Sequence, residues 1–156
     1  MRWAAQGGHD DSKQFAPRDR RFVSAQPLPQ LAGLAREFYG FCKIRELRFQ
    51  RCSNCSAWRH VPRERCSECG SASYRWERSS GRGRVYTWIV ANRSMHPSFP
   101  SDGSVAPVVI EMDEGVRLVS AMRDCPPREL AIGMPVEVVY DDVTEDVTLP
   151  KFRRLA

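Results

Sequence analysis

Apolar residues change their spacing twice along the chain, and the changes divide it. Residues 1–27 show no periodic apolar face: Gly7-Gly8, His9-Asp10-Asp11, scattered Arg and Lys and two prolines cannot bury enough surface to offset ordering, so a disordered tail is expected. Residues 28–46 form a helical segment, with Leu31, Leu34, Phe38 and Phe41 at three- and four-residue spacing and Pro29 at its start. From Leu47 the period becomes two. Leu47, Phe49 and Arg51 alternate with Arg48 and Gln50, and short strands follow at Ala57–Val61 and Ser73–Arg78. Ser79-Ser80-Gly81-Arg82-Gly83 then breaks the pattern and separates residues 47–78 from residues 79–156.

Beyond that break every candidate element is a strand: Arg84–Asn92, Pro107–Met112, Val116–Met122, Pro135–Asp141 and Val147–Arg154. Asp113-Glu114-Gly115 joins the second and third as a hairpin. A long loop, Ser94–Ala106, and a proline-containing insert, Cys125–Gly133, complete the order of a five-stranded Greek-key barrel of the OB type, with an SH3-like barrel as the alternative. The predicted class is mainly β.

Residues 47–78 also hold the chain's clearest chemical signal. Cys52-x-x-Cys55 and Cys66-x-x-Cys69 lie ten residues apart. Two residues between thiolates let one tight turn present both sulfurs to one ion, and two such turns complete a tetrahedral zinc site with no position left for water. A structural zinc ion is therefore expected at Cys52, Cys55, Cys66 and Cys69. Gly70 suits the turn that closes the second knuckle. Cys42 and Cys125 remain as unpaired thiols, read as small buried apolar residues in a reducing compartment.

Charge is unevenly distributed. Residues 1–84 carry 17 Lys/Arg against 8 Asp/Glu, and residues 85–156 carry 7 against 11. The basic half suits phosphate, whether of nucleic acid or of a phosphorylated cofactor. No run of about 18 apolar residues and no apolar leader is present, so a cytoplasmic protein without a membrane span is expected.

Several motifs in fixed order then carry a resemblance: Phe38-Tyr39, Leu47-x-Phe49-Gln50-Arg51-Cys52, Pro62-Arg63 before Cys66, Ser79 to Trp88, Ile132-Gly133-Met134-Pro135-Val136 and Thr148-Leu149-Pro150-Lys151-Phe152. Over roughly residues 31–154 the chain resembles the bacterial and archaeal family that joins a rubredoxin-like zinc ribbon to an acyl-CoA-associated OB-fold. It differs from the family at Phe41 and Arg45, where small or glycine residues are frequent, and at Ser56, where glycine is usual.

The resemblance implies a non-catalytic accessory subunit. Its partner would be a thiolase-like or lipid-transfer-protein-like enzyme of acyl-CoA metabolism, or a hot-dog-fold enoyl-CoA hydratase. The subunit would help to form the passage for the CoA thioester. On that reading Arg82 and Arg84 are candidates for CoA phosphate, which arginine suits, and Phe38 and Tyr39 for partner contact.

The residues themselves offer no unaided enzyme. There is no nucleophile elbow, no His pair at ligand spacing, and Gly81-Arg82-Gly83 leads into a strand, without the helix N-terminus that phosphate loops need. His60 lies between knuckles that already supply four ligands, and His96 sits in the long loop. Asp141-Asp142 and Glu145-Asp146 read as an acidic turn. Two other classes remain. Nucleic-acid binding would use Tyr86 and Trp88, two apart on one strand, as a stacking platform, but the barrel half is net acidic. A purely structural subunit would touch no ligand.

Overall fold

The computed structural model describes residues 27–91 and 106–155. Except for Pro27, the expected tail lies outside the described residues, as does the loop 94–105 with His96. One helix, α1 (Gly33–Lys43), precedes the ribbon strands β1 (Arg48–Cys52), β2 (Trp58–Arg59) and β3 (Tyr74–Arg78). The barrel strands follow as β4 (Arg82–Trp88), β5 (Pro107–Met112), β6 (Arg117–Ala121), β7 (Pro135–Asp142) and β8 (Thr148–Arg154). A 3-10 turn, Pro127–Glu129, lies in the insert before β7.

Helix α1 begins at Gly33, whose φ of 50° closes the extended entry from Pro29. Phe38 and Cys42 are its buried side chains, whereas Leu31 and Leu34 are only half-buried. It packs on β8, β1 and β7, bridging ribbon and barrel. Phe38 meets the ring of His60 at 5.2 Å, Phe41 meets Trp76 at 5.4 Å, and the Trp76 indole N–H donates to Glu37 at 2.7 Å. At its end Arg45 forms a two-pronged pair with Asp142 of β7, at 2.9 and 2.5 Å. That pair holds the Asp142 carboxyl down at about 2, mainly through the Arg45 hydrogen bonds and then Thr148.

The ribbon sheet runs β2-β1-β3 and the barrel sheet β6-β5-β4-β7-β8, all antiparallel. A parallel bridge between Met122 and Phe152 brings the two outer barrel strands together, with the Arg123 N–H donating to the Phe152 carbonyl at 2.7 Å. That closes the sheet as the OB-type order requires. Val85, Val108, Ile110, Leu118, Val136 and Phe152 fill the interior. They are the alternate residues of each strand, as a half-buried sheet demands.

Two glycines fit the turn from ribbon to barrel. Gly81 has a φ of 74°, and a Cβ there would sit 2.8 Å from Val138. At Gly83 a Cβ would meet the backbone oxygen of Glu111 at 2.4 Å, so β4 and β5 approach closely only without a side chain. The same turn is fixed to the hairpin ahead of it. Ser79 Oγ and the Ser80 N–H both donate to the Glu114 carboxylate, at 3.0 and 2.6 Å, and the Ser79 N–H donates to the Leu47 carbonyl at 2.8 Å.

The sequence pattern misplaced two features. Gln50, expected on a polar face, is fully buried, because the segment around Arg63 covers that side of β1 and the Arg63 N–H donates to Gln50 Oε1 at 2.8 Å. Tyr86 and Trp88 do not share a face. The register of β4 against β5 skips from Val85 to Thr87, which makes Tyr86 the extra residue of a bulge and turns Trp88 toward the core.

Gly83→Ala should lower stability to chemical denaturation by about 1–3 kcal/mol, since backbone must move to admit the methyl group. Ser56 and Arg45 both have a φ of 62°. Ser56→Gly should accordingly raise stability by about 1 kcal/mol in the same measurement.

Candidate metal centre

Both knuckles are built alike. The N–H of Ser56 donates to the Cys52 carbonyl at 3.0 Å, and the N–H of Gly70 donates to the Cys66 carbonyl at 2.9 Å. Each donor is left-handed, at φ 62° and 72°. Each turn thus folds back on its own first cysteine and presents two sulfurs on one side. The first cysteine of each pair is buried and the second exposed.

The four sulfurs lie within 4.8 Å of one another, with Cys52–Cys69 and Cys55–Cys66 both at 3.6 Å. A disulfide needs about 2.05 Å, so these are contacts and not bonds. A tetrahedron with metal–sulfur distances of about 2.3 Å has edges of about 3.8 Å, which the observed spacing fits. Four soft donors in that shape suit one metal ion, and zinc by their chemistry.

Backbone dipoles prepare the site. The amide of Cys55, helped by that of Asn54, lowers the Cys52 thiol to about 6, and the Ser71 amide lowers Cys69. At Cys55 the Ala57 amide works in the same direction, but the crowded sulfurs of Cys69, Cys66 and Cys52 outweigh it and hold the proton up to about 12. Four sulfurs so close need a cation between them before all can ionise.

The other candidate groups are dispersed. His60 is wedged between Phe38 and Phe49, each at 5.2 Å, and burial lowers it to about 4. Cys42 is fully buried, and its thiol is pushed up to about 12 by desolvation. Asp141 is tied to Arg123 and Lys151, and Asp142 to Arg45, so this acidic pair anchors elements.

Arg82 and Arg84 stand exposed on β4, alternating with buried Gly83 and Val85. Arg84 donates to the Gly133 carbonyl at 3.3 Å. Among the described residues Arg82 has no carboxylate partner. Phe38 is buried in the core, while Tyr39 is half-buried beside it. Tyr39, Val61 and Val119 line an apolar groove of about 540 Å³ between α1, the residues after β2, and strands β6 and β8. Val61 and Val119 are 63% and 70% exposed, large for apolar side chains.

Sequence reasoning missed two residues at the ribbon. Arg59 is only 4% exposed, and its neighbour across the strands, Gln50, is fully buried. Nothing in the spacing of a two-residue strand reveals such burial. Arg117 lies over one face of the exposed Tyr86 ring, its guanidinium carbon 3.6 Å from the ring centre.

The fold and the four-sulfur site define a zinc-ribbon–OB-fold protein. The chain belongs to the ChsH2/DUF35 family: residues 41–75 match the ChsH2 rubredoxin-like zinc ribbon domain and residues 76–141 the ChsH2 C-terminal OB-fold domain. A solved structure described as an Ltp2-ChsH2(DUF35) aldolase superposes with a TM-score of 0.73 at 33% identity, covering 81% of this chain and 98% of that one. A probable enoyl-CoA hydratase alpha subunit of Thermomonospora curvata is 39% identical over 90% of this chain and 44% of its own length. A DUF35 domain-containing scaffold protein of Methanocaldococcus jannaschii is 33% identical over 62% of this chain and 68% of its own. The Mycobacterium tuberculosis 3-oxo-4,17-pregnadiene-20-carboxyl-CoA hydratase alpha subunit is 37% identical over 67% of this chain and 33% of its own. The chain therefore spans less than half the length of the two hydratase subunits. Among the described residues no helix is long and apolar enough to cross a membrane.

Purified chain should carry one equivalent of zinc by elemental analysis. Cys52→Ser or Cys69→Ser should release it, and a strong chelator should unfold the ribbon while the barrel's β signal persists in circular dichroism.

Proposed function

We propose that this chain is a non-catalytic accessory subunit of an acyl-CoA-processing enzyme, with a structural zinc ion. Its partner on this reading is thiolase-like or lipid-transfer-protein-like, or a hot-dog-fold hydratase, and the subunit helps to form the passage for the CoA thioester. The observation that carries the reading is the likeness, over nearly the full length of that chain, to the DUF35 subunit of an aldolase assembly. The hydratase alpha subunits among its relatives support the same class of partner.

The chemistry of the described residues agrees. Two groups that could act as nucleophile or base are held out of such work: Cys42 is buried with its thiol at about 12, and His60 is clamped between two phenylalanines with its proton affinity lowered to about 4. Arg82 and Arg84 project from one face of β4 and offer two guanidinium groups to phosphate oxygens. The apolar groove beside Tyr39 offers a surface that an assembly would cover.

Nucleic-acid binding is less well supported. The stacking platform it would need is lost to the bulge at Tyr86 and to the Arg117 side chain lying over that ring.

The tagged chain purified from its native host should bring down a stoichiometric thiolase-like, lipid-transfer-like or hydratase-like protein, identified by mass spectrometry. If it came away alone, or with nucleic acid that salt removes, the reading would fail. In the assembled enzyme, Arg82→Ala and Arg84→Ala should each raise KM for the CoA thioester several-fold with assembly intact. Tyr39→Ala should weaken assembly while zinc stays bound.

A further inference from the structure

Arg59 is a buried cation with no visible counter-ion. It is 4% exposed, and among the described residues it has no carboxylate partner. One nitrogen, Nη1, donates to the Arg63 carbonyl at 3.4 Å, while Nε and Nη2 are buried without any acceptor. Gln50 Nε2, across the strands, is a third buried donor in the same condition. Burying an unpaired charge in this way is costly, and native folds avoid it.

The sheet register places Arg59 on the same face as one of the four cysteines. Arg59 stands opposite Gln50 on β1, and Tyr74 on β3 stands opposite Cys52. Paired residues of antiparallel strands share a face, and so do residues two apart on one strand. Arg59, Gln50, Cys52 and Tyr74 therefore occupy one side of the ribbon sheet. The Arg59 guanidinium carbon lies 5.1 Å from the Tyr74 ring centre, so the side chain crosses above β1 between Gln50 and the sulfur-bearing Cys52. The strand-to-knuckle segment that leads to Cys66 closes over it, through the Arg63 carbonyl on Arg59 and the Arg63 N–H on Gln50.

Four thiolates around one divalent ion leave a charge of about −2, and Cys52, whose sulfur lies within 4.8 Å of the other three, shares this face with Arg59. No sulfur accepts a hydrogen bond from Arg59 Nε or Nη2, so the attraction would act through space. We propose that Arg59 is the built-in counter-charge of the metal–thiolate centre and a determinant of how tightly the ribbon holds its metal. Arg59 is then a positioning residue that acts through the cysteine ligands. On this proposal half of the centre's excess charge is compensated inside the ribbon, by a guanidinium that also faces the Tyr74 ring.

The inference rests on the metal reading of the four cysteines, which the metal content of the parent chain tests separately. With that established, zinc affinity is measured by competition with a chromophoric chelator on the full chain and on Arg59→Lys, Arg59→Gln and Arg59→Met. Cobalt substitution and its thiolate-to-metal absorption confirm four-sulfur coordination in each. If Arg59 acts by charge, Lys should stay within about threefold of the parent, and Gln and Met should weaken binding about tenfold or more, as expected for loss of an outer partner. The metal-free Met variant should be at least as stable as the metal-free parent, because an uncompensated buried cation has been removed. Equal weakening by Lys and Met would assign Arg59 to packing and overturn the proposal. So would Gln and Met variants that hold zinc as tightly as the parent; Gln serves if Met does not fold.

Discussion

The convergence of four sulfurs is the constraint on which the ribbon depends. Strands of five, two and five residues are too short to hold a sheet by pairing alone, and β2 has only two residues with which to pair. What fixes them is the pair of knuckles, each folded by a left-handed donor onto its own cysteine carbonyl. Once Cys52 is placed, β1 is placed along its whole length, and its two sides are committed. Phe49 goes to the core shared with α1 and His60, and Gln50 to the side closed by Arg59 and the Arg63 segment. The strand is therefore buried on both faces although it is only five residues long.

The barrel solves a different problem. It has enough apolar residues at alternate positions to form a core, and its difficulty is geometric closure. Close approach at Gly83, a bulge at Tyr86 and one parallel bridge from Met122 to Phe152 bend five antiparallel strands round until the outer two meet. Helix α1 lies where the two modules join. It contributes Phe38 to the joint core, and the Arg45–Asp142 pair ties its end to β7.

Much of this was legible in the sequence, for reasons that can be located. The barrel strands are runs of β-branched and aromatic residues, and the expected strand Pro107–Met112 matches its observed bounds, with a Gly-containing turn marking its far end. The four-cysteine cluster was legible because metal geometry restricts spacing so tightly. What escaped was whatever depends on distant partners. Arg45 and Asp142 are 97 residues apart, and no local pattern joins them. The bulge at Tyr86 arises from the register between β4 and β5, which one strand's sequence does not contain. Gln50 and Arg59 look polar and are buried, because the covering segment comes from beyond β2. Ser56 was legible as a departure from the family, but its left-handed backbone came only with the structure.

The carboxylate of Glu114 takes two hydrogen bonds from Ser79 and Ser80. Those serines are the exit from the ribbon, and Glu114 is the tip of the β5–β6 hairpin. The ribbon is thus anchored to the barrel at both ends of its chain path, once through α1 and once through this clamp. A module held at two points resists swivelling in a way that a module on a single hinge does not. Displacement of the hairpin tip would be transmitted as a lever to β3, and through the register of the small sheet to the strand that carries Cys52.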